Sequence, residues 1–219
     1  ASLCAQQEAL LDELLGAVFE RALQSDLSLS IDELATHSDL ARARLIRMWL
    51  AKLNANMPTQ VQLNLIWNEV GLAQQDANPK LQLKQGEVRR FQNRLYWVTE
   101  TADVTTWQSD IQTDTALVLP ERLGELTLNT SSEQATIALP PHPELLRVTF
   151  NPEGLSAHPT TRNHSRKLKK LFQEYNVPSW LRRQIPILMY QNQVVAVAGL
   201  FVDRAFSGQD CELIWRKSL

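Results

Sequence analysis

A dense cluster of basic residues lies in the last quarter of the sequence, around the stretch RKLKKLFQEYNVPSWLRR. Lysine and arginine side chains that gather without matching carboxylates suit phosphate oxygens, because each neutralised phosphate releases condensed counterion. The candidate residues for such contacts are Arg162, His164, Arg166, Lys167, Lys169, Lys170, Arg182 and Arg183. The cluster is either a surface for a polyanion or an ordinary solvated helix face.

The apolar pattern of the same stretch predicts how these cations are presented. At about 100° of rotation per residue, one face of a helix collects Leu168, Leu171, Phe172 and Tyr175. Arg166, Lys169 and Lys170 then lie on the opposite face. The helix is expected to end at Val177, because the residue before a proline avoids helical backbone angles. The sequence therefore predicts one basic helix with a core-facing side.

Charge spacing within this helix is unusual for a solvated face. Polar faces normally mix signs, because like charges four residues apart cost roughly 0.2–0.5 kcal/mol per pair. Here Arg166 and Lys170 are four residues apart, and only Glu174 lies nearby to compensate. A solvated face and a phosphate-binding surface both fit the residues alone.

The distribution of charge along the chain favours a polyanionic partner. The net charge is −2, yet residues 161–219 hold 10 basic and 4 acidic residues, whereas residues 101–160 hold 2 and 8. This local excess is hidden by the average composition, which is typical of a soluble globular protein. We find no apolar run of the ~18 residues that a membrane span needs, so no membrane partner is expected.

The sequence offers no recognisable catalytic motif. Its four histidines and two cysteines lack metal-ligand spacing, and there is no glycine-rich phosphate loop. Cys4 and Cys211 are interpreted as reduced thiols of a cytoplasmic protein. We therefore expect no catalytic residue, no metal and no cofactor in this chain.

Two domains are expected to position these residues. Residues 1–100 show helical periods followed by three short strands, which predicts a helical domain closed by a small antiparallel sheet. Residues 101–114 are polar and lack a period, as expected of a linker. Residues 115–219 predict a β-rich domain with one main basic helix, so the fold class is α+β. Because the chain starts without methionine and enters a helical pattern at once, we expect a piece of a longer protein.

Several stretches of this sequence resemble the bacterial tRNA(Ile)-lysidine synthetase family. RKLKKLFQEYNVPSWLRRQIPIL, followed by NQVVAVAGLFV, is similar to that family's C-terminal domain. LCAQQEALLDELL, LIRMWLAKLNANMPT and LQLKQGEVRRFQNRLYWV are similar to its substrate-binding domain. The resemblance covers nearly the whole chain in order, and it is weaker from residue 101 to 144.

The resemblance implies a function in tRNA modification. The family's enzyme uses ATP to attach lysine to the wobble cytidine of an isoleucine tRNA, and its N-terminal catalytic domain carries an SGG-x-DS phosphate loop. This sequence lacks that loop, so ATP is expected to bind the missing domain and this chain is expected to recognise tRNA without catalysis. The implied partners are isoleucine tRNA and the enzyme's own catalytic domain. The alternative is a protein–protein or homodimerisation module with a solvated basic face.

The family's basic pattern can be carried over residue by residue. It is matched by Arg166, Lys167, Lys169, Lys170 and Arg182, and its arginine pair in the small sheet by Arg89 and Arg90. Because alternate strand residues face opposite sides, at most one of Arg89 and Arg90 is expected to reach a partner. The family often has glycines where this chain has His164 and Ser165, so the backbone there is less able to approach a phosphate.

Overall fold

Helices dominate the first third of the chain, and short antiparallel strands dominate the rest. The computed structural model describes residues 2–74 and 77–218. The contacts divide the chain into unit 1, residues 1–100, and unit 2, residues 101–219. Both units combine helices with antiparallel strand pairs, which confirms the predicted α+β class.

Unit 1 opens with helices whose starts follow from their capping residues. They are α1 (Ser2–Ala22), α2 (Ile31–Ala35), α3 (Asp39–Lys52), α4 (Gln60–Leu65) and a π-helix (Ile66–Gly71). The side chains of Ser30, Ser38 and Thr59 accept hydrogen bonds from backbone N–H groups in the first turns of α2, α3 and α4. Within residues 2–74 and 77–218, none of the helices has the length and apolarity that crossing a membrane requires.

The sheet of unit 1 covers the apolar faces of these helices. Its strands are β1 (Leu29–Ser30), β2 (Lys80–Leu83), β3 (Gly86–Phe91) and β4 (Arg94–Val98), antiparallel in the order β1-β4-β3-β2. Gln92, at φ 53°, makes the turn between β3 and β4. Leu45, Trp49 and Ile66 from the helices share one core with Val88 from the sheet. The predicted helical domain with a small sheet is therefore confirmed.

Unit 2 consists, in its described residues, mainly of short antiparallel strands. A five-stranded sheet contains β5 (Gln108–Asp110), β8 (Leu146–Thr149), β11 (Ile187–Tyr190), β12 (Gln193–Val197) and β13 (Phe201–Val202). Its strands lie in the order β13-β12-β11-β8-β5. A three-stranded sheet contains β6 (Leu117–Val118), β7 (Glu125–Asn129) and β14 (Glu212–Arg216), and a two-stranded sheet pairs β9 (Ser156–Ala157) with β10 (Arg166–Lys167). The described part of unit 2 also contains one α-helix, α5 (Leu168–Glu174), and 3₁₀ turns at Pro120–Arg122, Pro143–Leu145 and Arg204–Phe206.

Residues 101–114 are more structured than a linker. β5 pairs with β8 at an edge of the five-stranded sheet, and Val104 and Ile111 are buried in the same core as Phe150. The prediction of a linker is wrong for β5, because three polar residues are held in a strand by backbone pairing that composition does not reveal.

The basic segment begins as a strand. Arg166 and Lys167 pair with Ala157 and Ser156, and α5 starts only at Leu168. The predicted position of Arg166 on the helix is therefore wrong, because strand pairing supplies hydrogen bonds that compete with a longer helix. The helix itself ends at Glu174, three residues before the predicted end.

The predicted apolar face of α5 is confirmed. Leu168, Leu171 and Phe172 are fully buried, in a core cluster that includes Ile187 of β11 and Val197 of β12. Lys169 and Lys170 are exposed, on the solvent side of the same helix. Burial of one side of α5 thus fixes the direction in which its lysines project.

Replacing Leu171 with Ala should lower the free energy of unfolding by about 2–5 kcal/mol, because the truncation empties a fully buried site. Urea-induced unfolding of the two variants measures the difference. Gln173→Ala, at an exposed position of the same helix, is the control and should change stability by less than about 0.5 kcal/mol. Equal losses in both variants would contradict the assigned orientation of α5.

Candidate nucleic-acid interface

A concave surface on unit 2, here called the basic cleft, brings together four of the predicted cations. Its volume is about 390 Å³. It is lined by Pro152, Glu153, Gly154, Leu155, Lys167, Lys169, Phe172, Ser179, Arg182 and Arg183. Three chain segments that are distant in sequence therefore form its walls: the loop 152–155, the β10–α5 junction and the segment 179–183.

Backbone and side-chain hydrogen bonds hold these walls together. The N–H of Leu168 donates to the carbonyl of Leu155 at 2.9 Å, which joins the start of α5 to the loop 152–155. The Nε of Arg182 donates to the carbonyl of Val177 at 3.0 Å, which fixes the guanidinium relative to the end of α5. The buried side chain of Phe172 also lines the cleft, so the cations lie next to a packed part of the core.

Arg182 is the most enclosed cation of the cleft. It is partly buried, and loss of hydration lowers the pKa of its guanidinium. Among the described residues, neither Arg182 nor Lys167 nor Lys169 forms an ion pair. Positive charge in the cleft is therefore incompletely balanced by the protein.

Arg183 is the cleft cation that carboxylates do balance. It forms an ion pair with Glu153, from the loop 152–155. The pKa of Asp103 is also lowered, chiefly by hydrogen bonds from Thr105 and to a smaller degree by the charge of Arg183. The ion pair of Arg183 therefore joins the segment 179–183 to the loop 152–155. It also partly neutralises Arg183, which weakens the attraction of this residue for an external anion.

Glu174 compensates two further predicted site residues outside the cleft. Its carboxylate forms ion pairs with Arg162 and, at 3.3 Å, with Arg166. Surface ion pairs of this kind add at most about 1 kcal/mol to stability, so both arginines remain available to a stronger anion. Lys170, next to this group, has no ion pair among the described residues.

The loop that carries Arg162 and His164 is held by residues that sequence reasoning missed. The Nη2 of Arg204 donates to the carbonyls of Thr160 at 3.1 Å and of Arg162 at 2.8 Å. The Nε2 of His158 donates to the same Arg162 carbonyl at 3.0 Å. His164 lies exposed on this loop and does not line the basic cleft. No sequence motif signals the role of Arg204, which lies more than 40 residues away.

Arg89 and Arg90, on β3 of unit 1, are engaged within the protein. The Nε of Arg89 donates to Glu87 at 2.8 Å. The guanidinium of Arg90 donates to the carbonyls of Gln92 at 2.8 Å, of Gly71 at 2.7 Å, and of Ala73. Arg90 therefore joins β3 to the end of the π-helix, and this geometry favours a structural role over an RNA contact.

The described cysteine and histidine side chains do not form a metal site. Within residues 2–74 and 77–218, no group of three His, Cys, Asp or Glu side chains is arranged to hold a metal ion. Cys211 is a free, buried thiol whose pKa is raised to about 11, mainly by burial. The side chain of Cys4 lies outside the described residues.

Two family models match this chain, one in each unit. Residues 29–96 match the TilS substrate binding domain, and residues 146–219 match the TilS substrate C-terminal domain. The second match includes the β10–α5 junction and the segment 179–183 of the basic cleft.

Curated relatives match the whole chain. It is 91% identical over 219 residues to a tRNA(Ile)-lysidine synthase of Vibrio campbellii and 81% identical to one of Vibrio parahaemolyticus. These alignments cover 100% of this chain but 49% and 50% of the relatives, so the chain spans about half of their length. A crystal structure of a TILS C-terminal domain is a weaker match, with 20% identity and a TM-score of 0.40. That match covers 52% of this chain and 97% of the other.

Arg90→Ala should reduce the stability of unit 1 by about 1–3 kcal/mol, because it leaves partly buried carbonyl oxygens without their donor. Arg89→Ala, the neighbouring comparison, removes the ion pair with Glu87 but leaves Lys80 as a partner of that carboxylate at 3.6 Å, so it should cost less than Arg90→Ala. Urea-induced unfolding of both variants gives the comparison. Equal small losses, with a large loss of RNA binding for Arg90→Ala, would instead assign Arg90 to an RNA contact.

Proposed function

This chain belongs to the tRNA(Ile)-lysidine synthase family, and from that membership we propose that it binds and positions tRNA for the enzyme. The expected reaction of the whole enzyme is ATP-dependent attachment of lysine to the wobble cytidine of an isoleucine tRNA. In this proposal the chain contributes recognition, while ATP and the reacting groups are handled by the enzyme's own N-terminal catalytic domain. The expected location is the cytoplasm, where tRNA is modified in bacteria.

The observation that carries the proposal is the unbalanced positive charge of the basic cleft and of Lys170 beside it. Lys167, Lys169 and Lys170 are exposed and have no ion pair among the described residues. Their positions are fixed by β10 and by the buried face of α5, so phosphate contacts require little further ordering of the backbone. Fixed, unpaired cations on one surface are what a polyanion needs.

Recognition by charge and shape fits the kind of RNA that this surface would meet. The bases of an A-form helix are hidden in a deep, narrow groove, and proteins contact such helices mainly through phosphates and 2′-hydroxyl groups. The residues around the cleft offer ammonium, guanidinium and hydroxyl donors, the last from Ser179. We therefore propose that unit 2 contacts a helical stem of tRNA rather than reading a base sequence.

A second candidate function rests on α1 of unit 1. Leu3, Leu10 and Leu14 are each more than half exposed along this helix, and Leu11 is nearly so. An apolar stripe of this kind favours a protein partner. We propose the enzyme's own catalytic domain as that partner, with a homodimer as the alternative. Light scattering at two salt concentrations distinguishes self-association from RNA binding, because only the latter should weaken steeply with salt.

The triple change Lys167→Gln, Lys169→Gln and Lys170→Gln should weaken binding of isoleucine tRNA at low salt while leaving thermal stability nearly unchanged. Each phosphate that the variant no longer neutralises should flatten the plot of log affinity against log salt by about 0.7–0.9 units. Gel shifts at several salt concentrations measure that slope.

The matched control for this triple change removes three charges elsewhere on unit 2, by Arg147→Gln, Arg216→Gln and Lys217→Gln. A slope that is unaltered in the lysine variant would make the basic surface an ordinary solvated face. Equal losses of tRNA affinity in both variants would show that the interaction depends only on the net charge of the chain.

The chain alone should neither hydrolyse ATP nor form lysidine, because its sequence has no phosphate loop. Incubation with ATP, Mg²⁺, labelled lysine and isoleucine tRNA tests this, with a complete tRNA(Ile)-lysidine synthase as the positive control. Lysine attached to tRNA by the chain alone would overturn the division of labour proposed above.

A further inference from the structure

The basic cleft differs from the rest of the positively charged surface in being concave and in holding a partly desolvated arginine. Arg182 donates through Nε to the carbonyl of Val177, and its remaining N–H groups have no protein partner in the described part of the chain. A guanidinium that has lost hydration without gaining a counter-charge is destabilised in the free protein. An anion bound beside it would offset that cost.

The other donors of the cleft are arranged around the same space. Lys167 and Lys169 come from the β10–α5 junction, and Ser179 comes from the wall that also carries Arg182. The single carboxylate of the lining, Glu153, is engaged by Arg183. Two ammonium groups, a hydroxyl and a pre-oriented guanidinium fork therefore face a space without a free carboxylate, which is a donor set suited to phosphate.

The size of the cleft limits what it can accept. Its volume, about 390 Å³, lies near the lower end of the roughly 300–1,000 Å³ of small-ligand pockets. That space suits a phosphate with part of its nucleotide and is too small for an RNA duplex. Gly154, at φ 75°, forms the turn of the facing loop and leaves open space where a side chain would project.

We propose that the basic cleft is a discrete subsite for one phosphate group of the bound RNA, with Arg182 and Lys169 as its principal ligands. The inference rests on the proposed function, because it assigns a part of the same tRNA-binding surface. It goes further by separating a defined phosphate site from the diffuse attraction of the exposed lysines. The phosphate is either a strand-terminal monoester or a backbone diester, and both present the same oxygens to the same donors.

Lys169 and Lys170 provide a matched pair of variants for testing the subsite. They are adjacent and equally charged on α5, and both are exposed, but Lys169 lines the cleft and Lys170 does not. Lys169→Gln should weaken tRNA binding at low salt about tenfold, since it removes a hydrogen-bonded charge pair. Lys170→Gln should weaken it less than about threefold. Equal losses in the two variants would overturn the subsite.

Arg182→Lys separates the geometry of the guanidinium from its charge. Lysine keeps the positive charge but cannot make the Nε bond to Val177 while presenting a fork to phosphate. The variant should lose tRNA affinity to nearly the same degree as Arg182→Gln, with urea-induced unfolding as the check that unit 2 is folded. Normal binding by a folded Arg182→Lys variant would show that only charge matters and would overturn the proposal.

Inorganic phosphate tests the cleft independently of tRNA. In ¹H–¹⁵N spectra of the chain, phosphate should shift the resonances of residues 153–155, 167–169 and 179–183, and chloride at the same ionic strength should not. Shifts that are absent, or that chloride reproduces, would overturn the subsite even if tRNA binds. Shifts in a chain that fails to bind tRNA would support the subsite and contradict the proposed function.

The kind of phosphate in the cleft can be identified by comparing the affinities of the chain for isoleucine tRNA with and without its 5′-phosphate. A loss of affinity on dephosphorylation that is absent in Lys169→Gln supports a strand-terminal monoester in the cleft. Equal affinity of the two RNAs, with the Lys169→Gln loss intact for both, supports a backbone diester.

Discussion

Burial of one side of α5 is the constraint on which the candidate interface depends. Leu168, Leu171 and Phe172 are enclosed in a cluster with side chains of β11 and β12, and they cannot leave it without exposing a substantial part of that core. The lysines that alternate with them are consequently held at the surface at fixed positions. The same burial sets one wall of the basic cleft, because Lys167 and Lys169 flank Leu168. Packing, and not charge, therefore decides where the positive charge of this segment is displayed.

Charge pairing then decides which of those cations lack a counter-charge from the protein. Glu174 pairs with both Arg162 and Arg166 and so compensates one of their two charges, and Glu153 pairs with Arg183. In this segment, the basic residues without an ion pair among the described residues are therefore the lysines and Arg182. A count along the sequence treats all of these residues alike. The structure separates them because the two carboxylates come from different segments, one at the end of α5 and one in the loop 152–155. The unpaired positive charge is thus confined to fewer residues than the excess of basic residues in 161–219 indicates.

Periodicity was sufficient to predict the α+β class and the buried face of α5, since both depend on side chains that must leave water. It failed where backbone pairing between distant segments decides the structure. Arg166 and Lys167 continue the helical pattern in sequence but pair with Ala157 and Ser156 in space. The sequence did not predict the strand at Gln108–Asp110 for the same reason, because its polar residues pair with β8, about 40 positions away. The walls of the basic cleft, which join three such segments, were beyond what spacing can reveal.

The predicted arginines, which the sequence treats alike, differ in their hydrogen-bond environments in the structure. Arg90 and Arg182 both match the family's basic pattern, and both donate to backbone carbonyls. Arg90 has three such acceptors, so three of its five N–H donors are occupied by the fold of unit 1. Arg182 has one, through Nε, and the rest of its fork lines a cleft with Lys167 and Lys169. An arginine with most of its donors occupied gains less from a phosphate than one that is desolvated and makes a single hydrogen bond, because the latter gains both hydrogen bonds and a counter-charge. Unsatisfied donors, and not basic residues as such, therefore distinguish the part of this chain where we propose that a phosphate is bound.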